Sequence, residues 1–195
     1  MVKFRWYALK LTLLVIIIYI LLIFFSSFTD NLVLISSDVY ERPWILVTAI
    51  FLHGSLLHLL YNSFALALFG SILEKKIGSY NFLLIFFLTG IISSLAAALF
   101  YDSALGASGA IFGIIGMLAA ISPLLIVPAF GAPMPVLMAA ILWALVDFIG
   151  LTGQSGGIAN AAHLAGLFSG LVIGFLFFRK SHKRQSEILE WKKNY

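Results

Sequence analysis

Gly106-Ala107-Ser108-Gly109-Ala110-Ile111-Phe112-Gly113-Ile114-Ile115-Gly116 is the stretch on which the reading of this chain turns. Its glycines recur at spacings of three, four and three, which puts Gly106, Gly109, Gly113 and Gly116 on one face of a helix. A second stripe answers it further on, where Gly166, Gly170 and Gly174 recur every four residues and His163 lies three before the first of them. Faces bare of side chains let two helices approach closely inside a bilayer. Ser108 and His163 stand at the mouths of these two apolar segments. A hydroxyl and an imidazole are costly in lipid unless they face each other or water, so their joint presence marks a functional site.

The rest of the composition agrees with a membrane setting. With 62% hydrophobic and 10% charged residues, the 195-residue chain has too little polar surface to cover a soluble globule. Cysteine is absent, which removes disulfides, thiolate metal sites and a cysteine nucleophile from consideration. A crossing of about 30 Å of hydrocarbon needs roughly 20 apolar residues. Segmenting on that length predicts six spans: Tyr7–Phe25, Leu56–Leu73, Phe82–Tyr101, Ser108–Val127, Met134–Leu151 and Asn160–Phe178. The first is too long for a signal peptide and lacks a small-residue cleavage pattern. The expected fold class is an all-α membrane protein, a six transmembrane helix bundle forming a single membrane domain over residues 1–195. Its core covers about 7–178, and a short basic tail covers 179–195.

Lysine and arginine placement sets the expected orientation. Lys3, Arg5 and Lys10 lie at the start of the first span, Lys75 and Lys76 follow the second, and Arg179, Lys180, Lys183, Arg184, Lys192 and Lys193 follow the sixth. With six spans these share one side, so both termini are predicted cytoplasmic and the protein multi-pass in a cell membrane. The net charge of +4 is then a positive-inside and lipid-headgroup feature, not a nucleic-acid footprint. The expected contacts are the lipid bilayer and other membrane proteins, and the sequence leaves oligomeric state open.

The second span adds His53, His58 and Asn62. His58 and Asn62 are four apart and share a face, whereas His53 lies off that face or ahead of the helix. Zinc helices favour paired histidines with a third ligand, and neither HExxH nor a carboxylate cluster occurs, so neither a metal nor another cofactor is expected. Donation from His58 and from the Asn62 amide to a developing oxyanion is the better use, since acyl transfer needs donors beyond nucleophile and base. Gly153-Gln154-Ser155-Gly156-Gly157 matches the G-x-S-x-G elbow of soluble hydrolases, but no strand precedes it and Ser155 reads as loop. Ser108 instead opens a helix, where free N–H groups and the positive helix end stabilise negative charge. Asp102 and Asp147 read as a loop charge and a helix-end charge, so a Ser-His dyad without an acidic third member is expected, slower than a soluble triad. In its neutral form His163 would accept the Ser108 proton and then protonate the leaving amine.

Taken together, His53-x4-His58-x3-Asn62, Glu74-Lys75-Lys76-x-Gly78-Ser79, Gly106-x-Ser108-Gly109 and Ala162-His163-x2-Gly166-x3-Gly170 resemble the rhomboid family of intramembrane serine proteases, over roughly Pro43 to Gly174. The resemblance implies that Ser108 is the nucleophile and His163 the base. The backbone N–H of Ser108 with His58 and Asn62 would hold the oxyanion, and His53 would lie near the site. It further implies single-span membrane proteins as substrates, cut at or near the membrane boundary, with Met134–Leu151 as gate and Thr152–Ala159 as cap. The Trp-Arg pair found in the first loop of many members is missing, for Arg42-Pro43-Trp44 is not that motif. Three other functions compete, and the first, an aspartyl intramembrane protease, would need paired Asp residues in facing spans, whereas the Tyr101-Asp102 step has no Gly-x-Gly-Asp partner. An inactive client-binding relative would be expected to lose the serine or histidine, and both are present. A small transporter would be expected to carry ionisable groups mid-span or broken inverted repeats, whereas Asp147 sits close to a span end.

Overall fold

The computed structural model describes residues 4–151 and 159–194, with side chains described through Phe177. The chain is mostly helical. Helix α1 is Tyr7–Phe24, α2 Leu56–Ile77 with a wider π-type turn over Leu66–Gly70, α3 Ser79–Phe100, α4 Ser108–Ile121, α5 Val136–Gly150 and α6 Asn160–Asn194. Four helical stretches, Tyr7–Phe24, Leu56–Ile77, Ser79–Phe100 and Asn160–Phe177, are long and apolar enough to cross a membrane. The other two, α4 and α5, are shorter than the expected spans and close with 14 and 15 residues.

The difference lies between them. The expected fourth and fifth spans ran to Val127 and from Met134, but those residues belong to an antiparallel hairpin of β3 (Ile126–Ala129) and β4 (Ala132–Pro135). Pro123 stops α4 by disfavouring helical backbone at Ser122. Phe130 and Gly131 then turn the chain with φ of 51° and 79°, the pair of positive angles that a tight hairpin turn demands. The all-α expectation is corrected on this point, and again by a shorter pairing of β1 (Leu34–Ile35) with β2 (Ser103–Ala104).

That second pairing matters for position. It ties the long connection after α1 to the loop that leads into α4, and the Ser36 N–H donates to the Asp102 carbonyl beside it at 2.9 Å. Gly106 N–H donates in turn to the Ala49 carbonyl, also at 2.9 Å. The residues immediately before Ser108 are therefore held by backbone bonds from an element more than fifty positions upstream.

At the opposite end, Glu74 acts as a cap. The first N–H groups of any helix lack intrahelical partners. Here Glu74, fully buried near the end of α2, accepts from the N–H of Tyr7 and of Ala8 at 2.9 Å each, from that of Arg5 at 3.3 Å, and from the Ser79 hydroxyl. One carboxylate thus fixes the start of α1 against the junction of α2 and α3, where Gly78 breaks the helix with φ 86°.

Helix α4 is the centre of the molecule, and it is squeezed from two sides. Toward α6, a Cβ on Gly166 would stand 2.1 Å from the Gly109 carbonyl oxygen, and one on Gly170 would stand 1.9 Å from that of Gly113. Toward α3, a Cβ on Gly109 would meet Ser93 Oγ at 1.7 Å, and one on Gly113 would meet Thr89 Oγ1 at 2.2 Å. Backbones this close exchange dispersion and weak C–H···O contacts that lipid cannot supply. Buried Ile111, Ile114, Ile115, Met117 and Leu118 of α4 join Phe82, Ile85 and Phe86 of α3 in the main apolar core.

Candidate active site

Ser108 is the first residue of α4, following Ala107 and a Gly106 held at φ +121°. That angle is open to glycine and strained for other residues, and a Cβ at the position would lie 2.8 Å from the His58 ring. Glycine here both makes the turn and leaves room for the imidazole. Being at the helix start, Ser108 also sits among N–H groups with no intrahelical acceptor.

His163 lies in the first turn of α6, its N–H bonded to the Ala159 carbonyl at 3.1 Å. Two neighbours fix that turn. The Ser93 hydroxyl of α3 donates to the Ala162 carbonyl at 2.8 Å, and the Ala161 N–H donates to the Tyr101 hydroxyl at 2.9 Å. With the glycine faces of α4 and α6 in contact, His163 Nε2 comes to 2.8 Å from Ser108 Oγ, across 55 positions of sequence.

The far side of the ring requires a correction. Asp147 is not merely a helix-end charge: it is 4% exposed on α5, and its Oδ1 stands 3.0 Å from His163 Nδ1. The expected pair without an acidic neighbour is therefore a linear array of hydroxyl, imidazole and carboxylate. The physical reason is rotational. Asp147 lies on the inward face of α5, and a buried carboxylate in apolar surroundings takes a donor within reach, here His163 Nδ1. Asp102, by contrast, is exposed in the loop and joins the fold through its backbone carbonyl.

Phe112 also escaped the sequence reading. It stacks on the imidazole with centroids 4.4 Å apart and planes 13° from parallel. Its place four residues after Ser108, on the same helix face, was the available signal. Trp143 of α5 backs Phe112 at 6.2 Å, and Phe69 of α2 and Phe130 of the hairpin tip lie 5.9 and 5.3 Å from Trp143.

On the opposite flank, Ser55 caps α2 by accepting the His58 N–H at 3.2 Å, which sets the first turn carrying that ring. The point where a Gly106 Cβ would stand is 2.8 Å from the His58 ring and 3.8 Å from Ser108 Oγ, so ring and hydroxyl border one small space. Asn62 is buried one turn on, but its amide nitrogen already donates to the His58 carbonyl at 2.8 Å. One amide hydrogen is thus occupied within the helix. His53, ahead of α2, packs edge-on against His58 with centroids 5.0 Å apart. Burial, and then the His58 neighbour, push its pKa down to about 4, so it is neutral at physiological pH.

Among the described residues no group of three or more His, Cys, Asp or Glu is arranged to hold a metal ion. Ser155, and Thr152–Ala159 apart from Ala159, lie outside the described residues.

The Rhomboid domain profile matches residues 40–180. RHOMBOID-like protein 4 of Arabidopsis thaliana is 30% identical over 144 residues, 73% of this chain and 36% of its own length. Rhomboid protease GlpG of Yersinia pestis (strain Pestoides F) is 29% identical over 147 residues, 75% of this chain and 52% of the relative. The chain thus spans about half or less of the length of these curated relatives.

Proposed function

The chain belongs to the rhomboid family, and from that footing we propose that it is an intramembrane serine endopeptidase, with Ser108 as nucleophile and His163 as base. The observation that carries the reading is the 2.8 Å approach of Nε2 to Oγ at the start of a helix. Ser108 Oγ attacks the scissile carbonyl carbon while its proton passes to His163 Nε2. The same proton then goes to the leaving amine as the C–N bond breaks, leaving an acyl-enzyme ester. Water repeats the sequence in reverse, so hydroxyl and imidazole are regenerated and one peptide bond is hydrolysed.

Negative charge on the carbonyl oxygen is met by the Ser108 N–H at the helix start and by the His58 ring across the gap that Gly106 keeps open. Asn62, with one amide hydrogen still uncommitted, is the further donor. His53 stays neutral behind His58 and shapes that wall.

Substrates are single-span membrane proteins cut near the membrane boundary. Helix α4, with 14 residues, extends about 21 Å, short of the about 30 Å hydrocarbon. A helix that short leaves an end beneath a membrane surface, and on this reading it is the end that carries Ser108, where a helix that unwinds locally can present a peptide bond and water can follow. Basic residues at both ends support a topology with the termini on the cytoplasmic side and the recess toward the exterior.

The test is cleavage of a model single-span substrate by the purified chain in liposomes, comparing wild type with Ser108→Ala and His163→Ala. Wild type should cut, and each variant should lose at least about 10³-fold in kcat. Equal cleavage by Ser108→Ala would overturn the assignment.

A further inference from the structure

We propose that Asp147 is a positioning residue for the base, holding His163 with the proton on Nδ1 so that Nε2 is free to take the one from Ser108. The proposal rests on the assignment of Ser108 and His163 above and adds a member that assignment does not require.

The geometry is that of a ring addressed at both nitrogens. Nδ1 faces Asp147 Oδ1 at 3.0 Å and Nε2 faces Ser108 Oγ at 2.8 Å. A carboxylate oxygen can only accept, so the hydrogen must sit on Nδ1, and the lone pair of a neutral imidazole then points at the serine. Without that acceptor the ring can also carry its hydrogen on Nε2, a form unable to receive the serine proton.

Burial sharpens the point. The side chains of Asp147 and His163 are 6% and 14% exposed, and among the described residues Asp147 Oδ2 has no partner. A lone carboxylate turned inward from an otherwise apolar helix is costly to keep in a membrane domain. An alanine there would remove the cost, and packing alone gives no reason for the charge. It becomes useful when His163 acquires the serine proton, because the imidazolium then stands 3.0 Å from a carboxylate in surroundings that screen little. That attraction exists only along the reaction path, so it should act on kcat and spare KM. No proton passes to Asp147; it moves between Ser108 Oγ, His163 Nε2 and the leaving amine.

Helix α5 supplies the second restraint from the same face. Trp143, one turn before Asp147, backs Phe112, which stacks on the imidazole. Among the described residues, His58 of α2 also acts on the ring, and it offers no negative charge. Orientation of the base is thus set by the seating of α5, through one hydrogen bond and one stack of rings.

The experiment compares wild type, Asp147→Asn and Asp147→Glu in liposomes, measuring kcat and KM separately on a single-span substrate, thermal midpoints, and nitrogen NMR of histidine-labelled protein. The His163 signal is assigned by its loss in His163→Ala. Asp147→Asn should lower kcat by about 10²- to 10³-fold with KM changed less than about 2-fold, because its amide can donate to Nδ1 and favour the wrong tautomer. Asp147→Glu should recover part of kcat. The wild-type spectrum should show His163 protonated on Nδ1, and Asp147→Asn should lose that state. A wild-type kcat in Asp147→Asn, or an unchanged tautomer, would overturn the proposal, as would a kcat loss that merely follows the thermal midpoint and that Glu does not relieve. An inert wild-type chain would overturn the peptidase reading instead, and the tautomer would still decide the part played by Asp147.

Discussion

A methyl group at position 106 would bring two separate penalties. The backbone there sits at φ +121°, and the added carbon would press on the His58 ring at 2.8 Å. Strained backbone of this kind costs on the order of 1–3 kcal/mol. Gly106→Ala is therefore expected to lower the thermal midpoint, and to lower kcat/KM for a single-span substrate by about 10-fold or more as the ring is displaced from the space beside Ser108. Melting and steady-state kinetics on the same preparation check both. Sequence reasoning saw Gly106 only as the first member of a packing stripe, because spacing reveals which face a residue occupies and nothing of its φ. Ser108 and His163 were legible for a different reason: in an apolar stretch each polar side chain is an exception that demands a partner. Asp147 was legible as a charge but not as a neighbour. It lies 16 positions before His163 and on a different helix, so no periodicity relates the rotation of α5 to that of α6.

At the scale of the element, the contact of α4 with α6 is the feature the sequence announced most clearly. Glycine every three or four residues has few uses in a membrane helix other than close approach. The observed contacts pair Gly109 with Gly166 and Gly113 with Gly170. Gly170→Ala would set a carbon 1.9 Å from the Gly113 carbonyl oxygen, and neither a Cβ fixed to its backbone nor a helix carbonyl can swing aside. The helices must part, at a cost of roughly 1–3 kcal/mol for overpacking. Since Ser108 and His163 ride on these same two rods, the separation lengthens their hydrogen bond. The expected outcome is a lower thermal midpoint together with slower labelling of Ser108 by a fluorophosphonate, whereas Val172→Ala, on an outward-facing position of α6, leaves both unchanged. The hairpin between α4 and α5 was illegible from hydropathy. Ile126, Val127 and Met134 are as apolar as any spanning residue, and a strand apolar on both faces shows no polar alternation to betray its period. The turn residues Phe130 and Gly131 and the surrounding prolines carried the only local sign.

Across the whole molecule, the parts that make the chemistry come from well-separated stretches of chain. Residues 34–49 hold the approach to Ser108, α2 brings His58 beside it, α3 fixes the first turn of α6, and α5 turns Asp147 toward the ring. Glu74 locks α1 onto the α2–α3 junction at the other end, so the start of α1 is bound into the fold through hydrogen bonds to one buried carboxylate. The order of the apolar helices could be read from composition, because hydrocarbon thickness constrains the length of an apolar run directly. Depth could not, since it depends on where each helix begins relative to its neighbours. The account as a whole depends on one hydroxyl being activated by one imidazole, and the most direct measurement is the site of covalent attack. The purified full chain is treated with a fluorophosphonate probe in liposomes, and the adduct is mapped by peptide mass spectrometry. The account requires a single adduct on Ser108 that disappears in His163→Ala; an adduct on Ser155, or undiminished labelling of Ser108 without His163, would contradict it.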